Sequence, residues 1–192
     1  MKNFKYGVCF MIDNLVNIVS KVNINLNEKD ILTFLKNEKR WPPHYPNSQK
    51  SVEIINELGT KSMDFFETTR DGTFLNYDKW YELYENGYTT IISNVLDLNN
   101  ELRNLRSLIK QEIGINIWGN FYFSRPGKKA SVDAHKHPYN VIVKQIYGKS
   151  KWQIAENQFV LEPNQTCLIP KNTDHAVIEK IENKLSLTLN IE

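Results

Sequence analysis

The chain has 192 residues, of which 41% are apolar and 24% charged, and its formal net charge is +2; this excludes the strong basic field that nucleic-acid binding draws on and suits one domain, or one domain with an appended lobe. No apolar run reaches the length that spans a bilayer, which speaks against a membrane protein. The two cysteines, Cys9 and Cys167, lie far apart, and no cleavage-site pattern follows Met1, so a reducing compartment, the cytoplasm, is expected.

Residues 4–20 mix Phe, Val, Ile and Leu without a clean period and predict a short strand or helix. Asn27 is placed to cap a helix from Glu28, with Asp30 in its first turn and Ile31, Phe34 and Leu35 on its apolar face. The run Trp41-Pro42-Pro43-His44-Tyr45-Pro46 ends that helix. Ser51 opens a predicted short helix through Ile54, Ile55 and Leu58, with Gly59 as its cap. Asp71-Gly72 marks a turn. Asn76 caps a helix carrying Trp80, Leu83 and Tyr84, which Gly87 closes, and residues 88–95 then read as a buried strand. Asn99 opens the clearest helix, with Leu102, Leu105, Leu108 and Ile109 on one stripe and Gly114 at its end. Phe65, Phe66, Phe74, Tyr77, Trp80, Tyr81 and Tyr84 are expected to pack a helical lobe on the C-terminal half of the chain, or to line an entrance.

From Ile115 the texture changes to short strands at 115–118, 120–124, 141–147, 151–155, 158–161, 166–169, 176–179 and 185–191. Turn residues such as Gly148, Pro163-Asn164 and Lys171-Asn172 separate them, a pattern that predicts a sandwich or barrel. The fold class is therefore mainly β with α. An N-terminal helical lobe (1–87) packs on a β domain (88–192). Within this barrel, three of the four histidines fall in two segments. His135 and His137 are spaced i and i+2, which puts both rings on one face of a strand. His175 follows a Pro-x-Asn turn on a later strand. If the two strands are neighbours, three imidazoles converge as a ligand set for a divalent transition metal. His44 has no partner motif.

The segment from Gly87 to the C-terminus resembles the cupin superfamily, and within it the JmjC-type, cupin-like iron(II), 2-oxoglutarate-dependent oxygenases. Gly127, His135-Lys136-His137 and Gly148 follow the first cupin motif. Asn164, Pro170-Lys171-Asn172 and His175 follow the second, with Asn at both expected glycines, the residue that best tolerates left-handed backbone after Gly. Asn120-x-Tyr122-x-Ser124-x-Pro126 and the run from Val141 through Gly148 to Trp152 keep the JmjC order. The resemblance implies a double-stranded β-helix (a jelly-roll barrel), a metal at His135, His137 and His175, and co-substrate or substrate contacts at Tyr122 and Asn120; Gln145, a polar residue sharing the inward parity of Val141 and Val143, is a further expected ligand contact. Two departures stand out. His137 occupies the family's carboxylate position, which leaves a bound ion its full charge. Ser150 occupies the place of the Lys that meets the distal carboxylate of 2-oxoglutarate. That role then falls to Lys151, through a bulge, or to another basic residue, since a buried carboxylate without a cation is costly. Cys167 reads as a small buried hydrophobe.

These features together predict an Fe(II)-dependent oxygenase or hydroxylase acting on a small molecule or peptide, with another divalent metal as the alternative ion. Two other classes compete. One is a three-histidine cupin (dioxygenase, isomerase or lyase) that works without 2-oxoglutarate, and the other a non-catalytic ligand-binding cupin. A homodimer is compatible with all three.

Overall fold

A computed structural model describes residues 2–37, 52–56, 61–62, 64–70, 72–127 and 133–191, with backbone alone at 2–10, 61, 72 and 73. The 41–46 loop with His44, the Leu58 and Gly59 positions, Asp71 and the Cys9 side chain lie outside the described residues. Among the described residues, four α-helices, α1 (Lys2–Lys21), α2 (Glu28–Asn37), α3 (Tyr77–Glu85) and α4 (Asn100–Ile113), accompany twelve strands. The strands are β1 (Val52–Ile55), β2 (Lys61–Ser62), β3 (Phe66–Thr69), β4 (Gly72–Leu75), β5 (Thr89–Ile92), β6 (Trp118–Ser124), β7 (Asn140–Tyr147), β8 (Ser150–Ile154), β9 (Asn157–Leu161), β10 (Thr166–Ile169), β11 (His175–Lys180) and β12 (Lys184–Ile191).

Antiparallel pairing builds a seven-stranded sheet in the order β10-β7-β12-β6-β5-β1-β2, a three-stranded sheet β11-β8-β9, and the hairpin β3-β4. Two isolated antiparallel bridges, Gly127 to Lys180 and His135 to His175, join those two residues to the free side of β11. The two larger sheets enclose a cavity between them.

Two central strands show how the sequence makes both a core and that cavity. On β7, Ile142 and Ile146 join the large core beneath the helices, while Val141 and Val143 join a second apolar cluster with Trp152, Leu161 and Ile169. On β12, Leu185, Leu187, Leu189 and Ile191 enter the large core. Their alternates Lys184, Ser186, Thr188 and Asn190 line the cavity. Period-2 alternation ordinarily turns the polar row to solvent; here that row is buried, with Ser186 only 1% exposed.

Helix caps follow the sequence closely. Asn76 and Asn99 accept from the backbone N–H groups of Lys79 and Leu102, and Gly87 and Gly114 take φ values of +86° and +82°. Asp30 N–H donates to the Asn27 side chain ahead of α2. Residues 4–20 resolve as helix. Two expectations are corrected. The helix expected through Ile54 and Ile55 is a strand: Val52–Ile55 pairs antiparallel with β5 and extends the large sheet. The β-branched Val52, Ile54 and Ile55 are buried there, and that packing outweighs the weak Gly59 stop signal. Leu108 is 38% exposed and lies off the apolar stripe of α4.

Part of the aromatic run packs α3 against the large sheet. Tyr84 stacks on Phe123 of β6 at 4.4 Å and on Trp80 at 5.3 Å, and the Trp80 indole N–H donates to Thr90 Oγ1 at 3.0 Å. None of those aromatics lines the cavity. Among the described residues, no helix is long and apolar enough to cross a membrane.

Candidate metal centre and its cavity

The three histidines meet at one end of the barrel. His135 and His175 face each other as a directly hydrogen-bonded antiparallel pair, with N–H to O distances of 3.1 and 2.9 Å. His137 is fastened from the other motif: its carbonyl accepts from Asn172 N–H at 2.6 Å. Asn172 has φ +59° and Asn164 φ +65°, so both asparagines occupy the left-handed region where the cupin motif carries glycine. The Pro-x-Asn turn thus places His175 and braces His137 together.

One candidate ligand atom from each ring lies within 4.8 Å of the other two. Nδ1 of His135 and Nδ1 of His175 lie 2.9 Å from the Asp133 and Thr173 carbonyl oxygens. A carbonyl only accepts, so each Nδ1 carries the proton and Nε2 keeps its lone pair for a metal. His137 stacks flat on Tyr139, ring centres 5.0 Å apart and planes at 9°. Burial, reinforced by the neighbouring imidazoles, pushes the pKa of His137 below the ordinary histidine value. Burial does the same for His175, against an opposing pull from the Thr173 carbonyl. Both shifts keep rings neutral, the form that ligates. The donor set fits a divalent transition ion.

The cavity runs inward from the histidines and is narrow, with a volume of about 80 Å³. Val141, Val143, Trp152, Ile169, Ala176 and Val177 make its apolar wall. Tyr122, Thr89, Ser186, Thr188 and Asn190 supply polar groups, and Lys180 and Lys184 are its cations. Among the described residues, no Asp or Glu lines it. The Tyr122 phenol is pushed up to about 12, chiefly by burial, and so stays a proton donor.

Of the other residues that the sequence nominated for the site, Tyr122 lines the cavity. Asn120 does not; its side-chain oxygen accepts from Asn94 N–H at 3.3 Å. Gln145 and Ser150 are buried just behind the lining in one network: Trp152 Nε1–H donates to Ser150 Oγ (3.0 Å), and the Ser150 and Ser186 hydroxyls both donate to Gln145 Oε1 (3.1 and 2.9 Å). Gln145 in turn donates to the Tyr147 carbonyl at 2.8 Å. Lys151 is absent from the lining, and no bulge brings it in: β8 is regular here, with Lys151 opposite Val160, and the register shift of its other pairing lies on β11, between Val177 and Glu179. Half-buried Cys167 packs against the second apolar cluster, and burial raises its thiol to about 12. Sequence reasoning missed Lys180 and Lys184. A lysine that opens an alternating strand, as in Lys184-Leu185-Ser186-Leu187-Thr188-Leu189, reads in the sequence like one facing solvent, so no local signal marked them.

No protein-family profile matches the sequence, and no curated protein is significantly similar to it. Solved structures do match. The Escherichia coli ribosomal oxygenase YcfD, in complexes with cobalt and succinic acid or 2-oxoglutarate, aligns at 14% identity and a TM-score of 0.55 over 87% of this chain and 44% of its own. The chain therefore spans under half of that protein. A cupin-superfamily protein from Desulfitobacterium hafniense aligns at 12% identity and a TM-score of 0.36, over 39% of this chain and 66% of that one. A cupin barrel protein from Leptotrichia buccalis aligns at 23% identity and a TM-score of 0.37, over 40% and 36%. The chain thus shares its fold, two antiparallel sheets closed around a cavity with helices alongside, with that ribosomal oxygenase.

Proposed function

We propose that the protein is a metal-dependent oxygenase that binds Fe(II) through His135, His137 and His175 and oxidises a small molecule or peptide in the adjoining cavity. The observation that carries this reading is the convergence of three imidazoles, two of them held in the ligating tautomer by backbone carbonyls, beside a cavity with a mostly apolar wall. A redox-active divalent ion held there supplies the oxygen chemistry. The chain's own residues do the rest. The apolar wall excludes water, the Tyr122 hydroxyl donates a hydrogen bond, and Tyr139 holds the His137 ring by stacking.

Elemental analysis of protein purified without oxygen tests this directly. Wild type retains about one iron or equivalent divalent ion per chain, from the single three-nitrogen set, and His135→Ala/His175→Ala retains none. Equal metal content in both would sink the reading. Three neutral ligands in place of two and a carboxylate favour a second reading, a three-histidine cupin enzyme that needs no keto acid. Oxygen consumption with substrate in the absence of 2-oxoglutarate would select it.

A further inference from the structure

Beside the metal cavity lies a second hollow that the proposed chemistry leaves unused. It is a surface groove of about 490 Å³, lined among others by Asn94, Asp97, Arg106, Asn116 and Trp118. The groove exists because β5 stops short. β5 pairs with β6 only from Thr90 to Ile92, opposite Phe123 to Phe121. The chain then turns at Asn94, in left-handed backbone (φ +56°), into a single 3-10 turn over Val95–Asp97. Leu96 of that turn packs so closely on β6 that a Cβ at Gly119 would lie 2.9 Å from its side chain. Asn94 N–H donates to the Asn120 side chain at 3.3 Å. From α4, Arg103 donates to the Asp97 carbonyl and Arg106 to its carboxylate, each at 2.7 Å. The walls are thus held by β6 and α4 without help from a ligand.

Trp118 joins this groove to the metal end of the cavity. It lies directly opposite Asn190 on β12, Asn190 opposite Val141 on β7, and Val141 opposite Ile169 on β10. Residues so opposed turn their side chains to one face of a sheet. Asn190, Val141 and Ile169 all line the cavity. Val141 stands just past His137, and Ile169 just before the turn into His175. Trp118 therefore flanks the histidine end, about one strand spacing (~5 Å) beyond Asn190. It is 42% exposed, a large flat apolar surface left in water at the rim of the cavity.

The chemistry of the lining selects the ligand. An open indole offers one stacking face. Around it, the Asn94 and Asn116 carboxamides carry both donors and acceptors, Arg106 adds donors and Asp97 acceptors. Among the described residues, Arg106 is the sole cation of the lining and Asp97 its sole carboxylate, and the two pair with each other. The groove therefore has no net charge to draw in a phosphate or carboxylate. A pyranose ring has the matching form: a face of C–H groups and a rim of hydroxyls that donate and accept. A nucleobase matches less well, since both its faces seek a stacking partner and the groove offers one ring.

We propose that the groove binds a neutral glycosyl group, stacked on Trp118 and held at its rim by Asn94, Asn116 and the Arg106–Asp97 pair. The group belongs to the substrate: the narrow cavity takes only a small reacting part, while the larger groove takes the sugar. Only this second half rests on the function proposed above.

The test titrates the full-length protein, first freed of metal with a chelator, with methyl glucoside, methyl galactoside, methyl mannoside, maltose and cellobiose. NMR follows the indole N–H signal of Trp118, assigned by its loss in Trp118→Phe. At least one sugar shifts that signal. Its binding weakens by about fivefold or more in Trp118→Ala and about threefold or more in Asn116→Ala, as expected for loss of a stacking ring and of a hydrogen bond. It is unchanged in Val160→Ser, an exposed position on β9. Trp118 and Asn116 are both exposed, so their variants melt close to wild type. Glucose 6-phosphate binds no tighter than glucose. No shift with any of these sugars overturns the proposal, as does equal affinity in Trp118→Ala and wild type, or tighter binding of adenosine or of the phosphate ester than of every neutral sugar. Mn(II) then tests the link to the reaction. It broadens the proton signals of the bound sugar in wild type but not in His135→Ala/His175→Ala, whose sugar affinity is unchanged. Sugar binding without that broadening, in protein that does bind Mn(II), overturns the second half. A wild type that binds the sugar through Trp118 but binds no Mn(II) keeps the groove and removes the metal reading.

Discussion

Each histidine of the centre is held by something other than a ligand. His135 and His175 are anchored at Nδ1 by the carbonyl two residues earlier, and His137 is stacked on Tyr139 and tied through its backbone to Asn172. This preorganisation has a consequence for pH. Burial depresses the pKa of His137 and His175, so protons compete for those rings only below the ordinary histidine value of about 6.5. Mn(II) affinity should therefore stay level from neutral pH down to that value and fall steeply beneath it, measured by titration at a series of pH values. The sign for the metal-free fold is the same. The depressed groups contribute stability above the unfolded-state value, and it is lost as pH falls through the folded values. A metal-binding midpoint well above pH ~6.5 would contradict the burial of these rings. Lys184 moves oppositely in its demand: burial, aided by Lys180, brings its ammonium down to about 7.

At the scale of elements, the turn from Pro170 to Thr173 matters most. It carries Asn172 in left-handed backbone, donates to the His137 carbonyl and leads straight into His175. Asn172→Ala should cost about 1–2 kcal/mol, the strain of that backbone for an ordinary residue, and weaken metal binding. Asn172→Gly should preserve both. Thermal unfolding and Mn(II) titration check this, and an alanine variant indistinguishable from wild type would refute it. Most elements were legible beforehand. The Asn caps and Gly stops marked α2, α3 and α4, and turn residues marked the strands from β6 to β12. The first helix was less so, because residues 4–20 have no clean period. β1 was misread, because four residues flanked by Ser51 and Gly59 look alike as a helix turn or a strand until β5 is there to pair with them. The histidine cluster was legible from motif spacing alone. The lysines were not, because nothing local distinguishes a lysine facing solvent from one facing an enclosed cavity; only the closure of the second sheet decides it.

Taken whole, the molecule ties its N-terminal segments to the barrel through the aromatic seam and at further places, two of which stand out. β1 extends the large sheet beyond β5. Glu28 at the start of α2 pairs with Arg125 at 2.9 Å and accepts from the Tyr84 hydroxyl (3.0 Å) and from the Asn183 side chain (2.9 Å), while Arg125 also pairs with Glu85 and lies over the Tyr84 ring. A chain beginning at residue 88 keeps the histidines and lysines but exposes the β5 edge and the face of Phe123. It should be poorly soluble and lack a cooperative thermal transition, in contrast to the full chain. A soluble fragment with a sharp melt would show that the barrel folds unaided.

The alternation along β12 also bears on how the chain avoids misfolding. Sliding that strand by one residue would drive Lys184 under the helices and leave the Leu185-Leu187-Leu189 row facing an aqueous hollow. Every such mispairing is penalised on both sides of the sheet at once, so the polar row that lines the cavity also serves as a proofreading device for strand alignment.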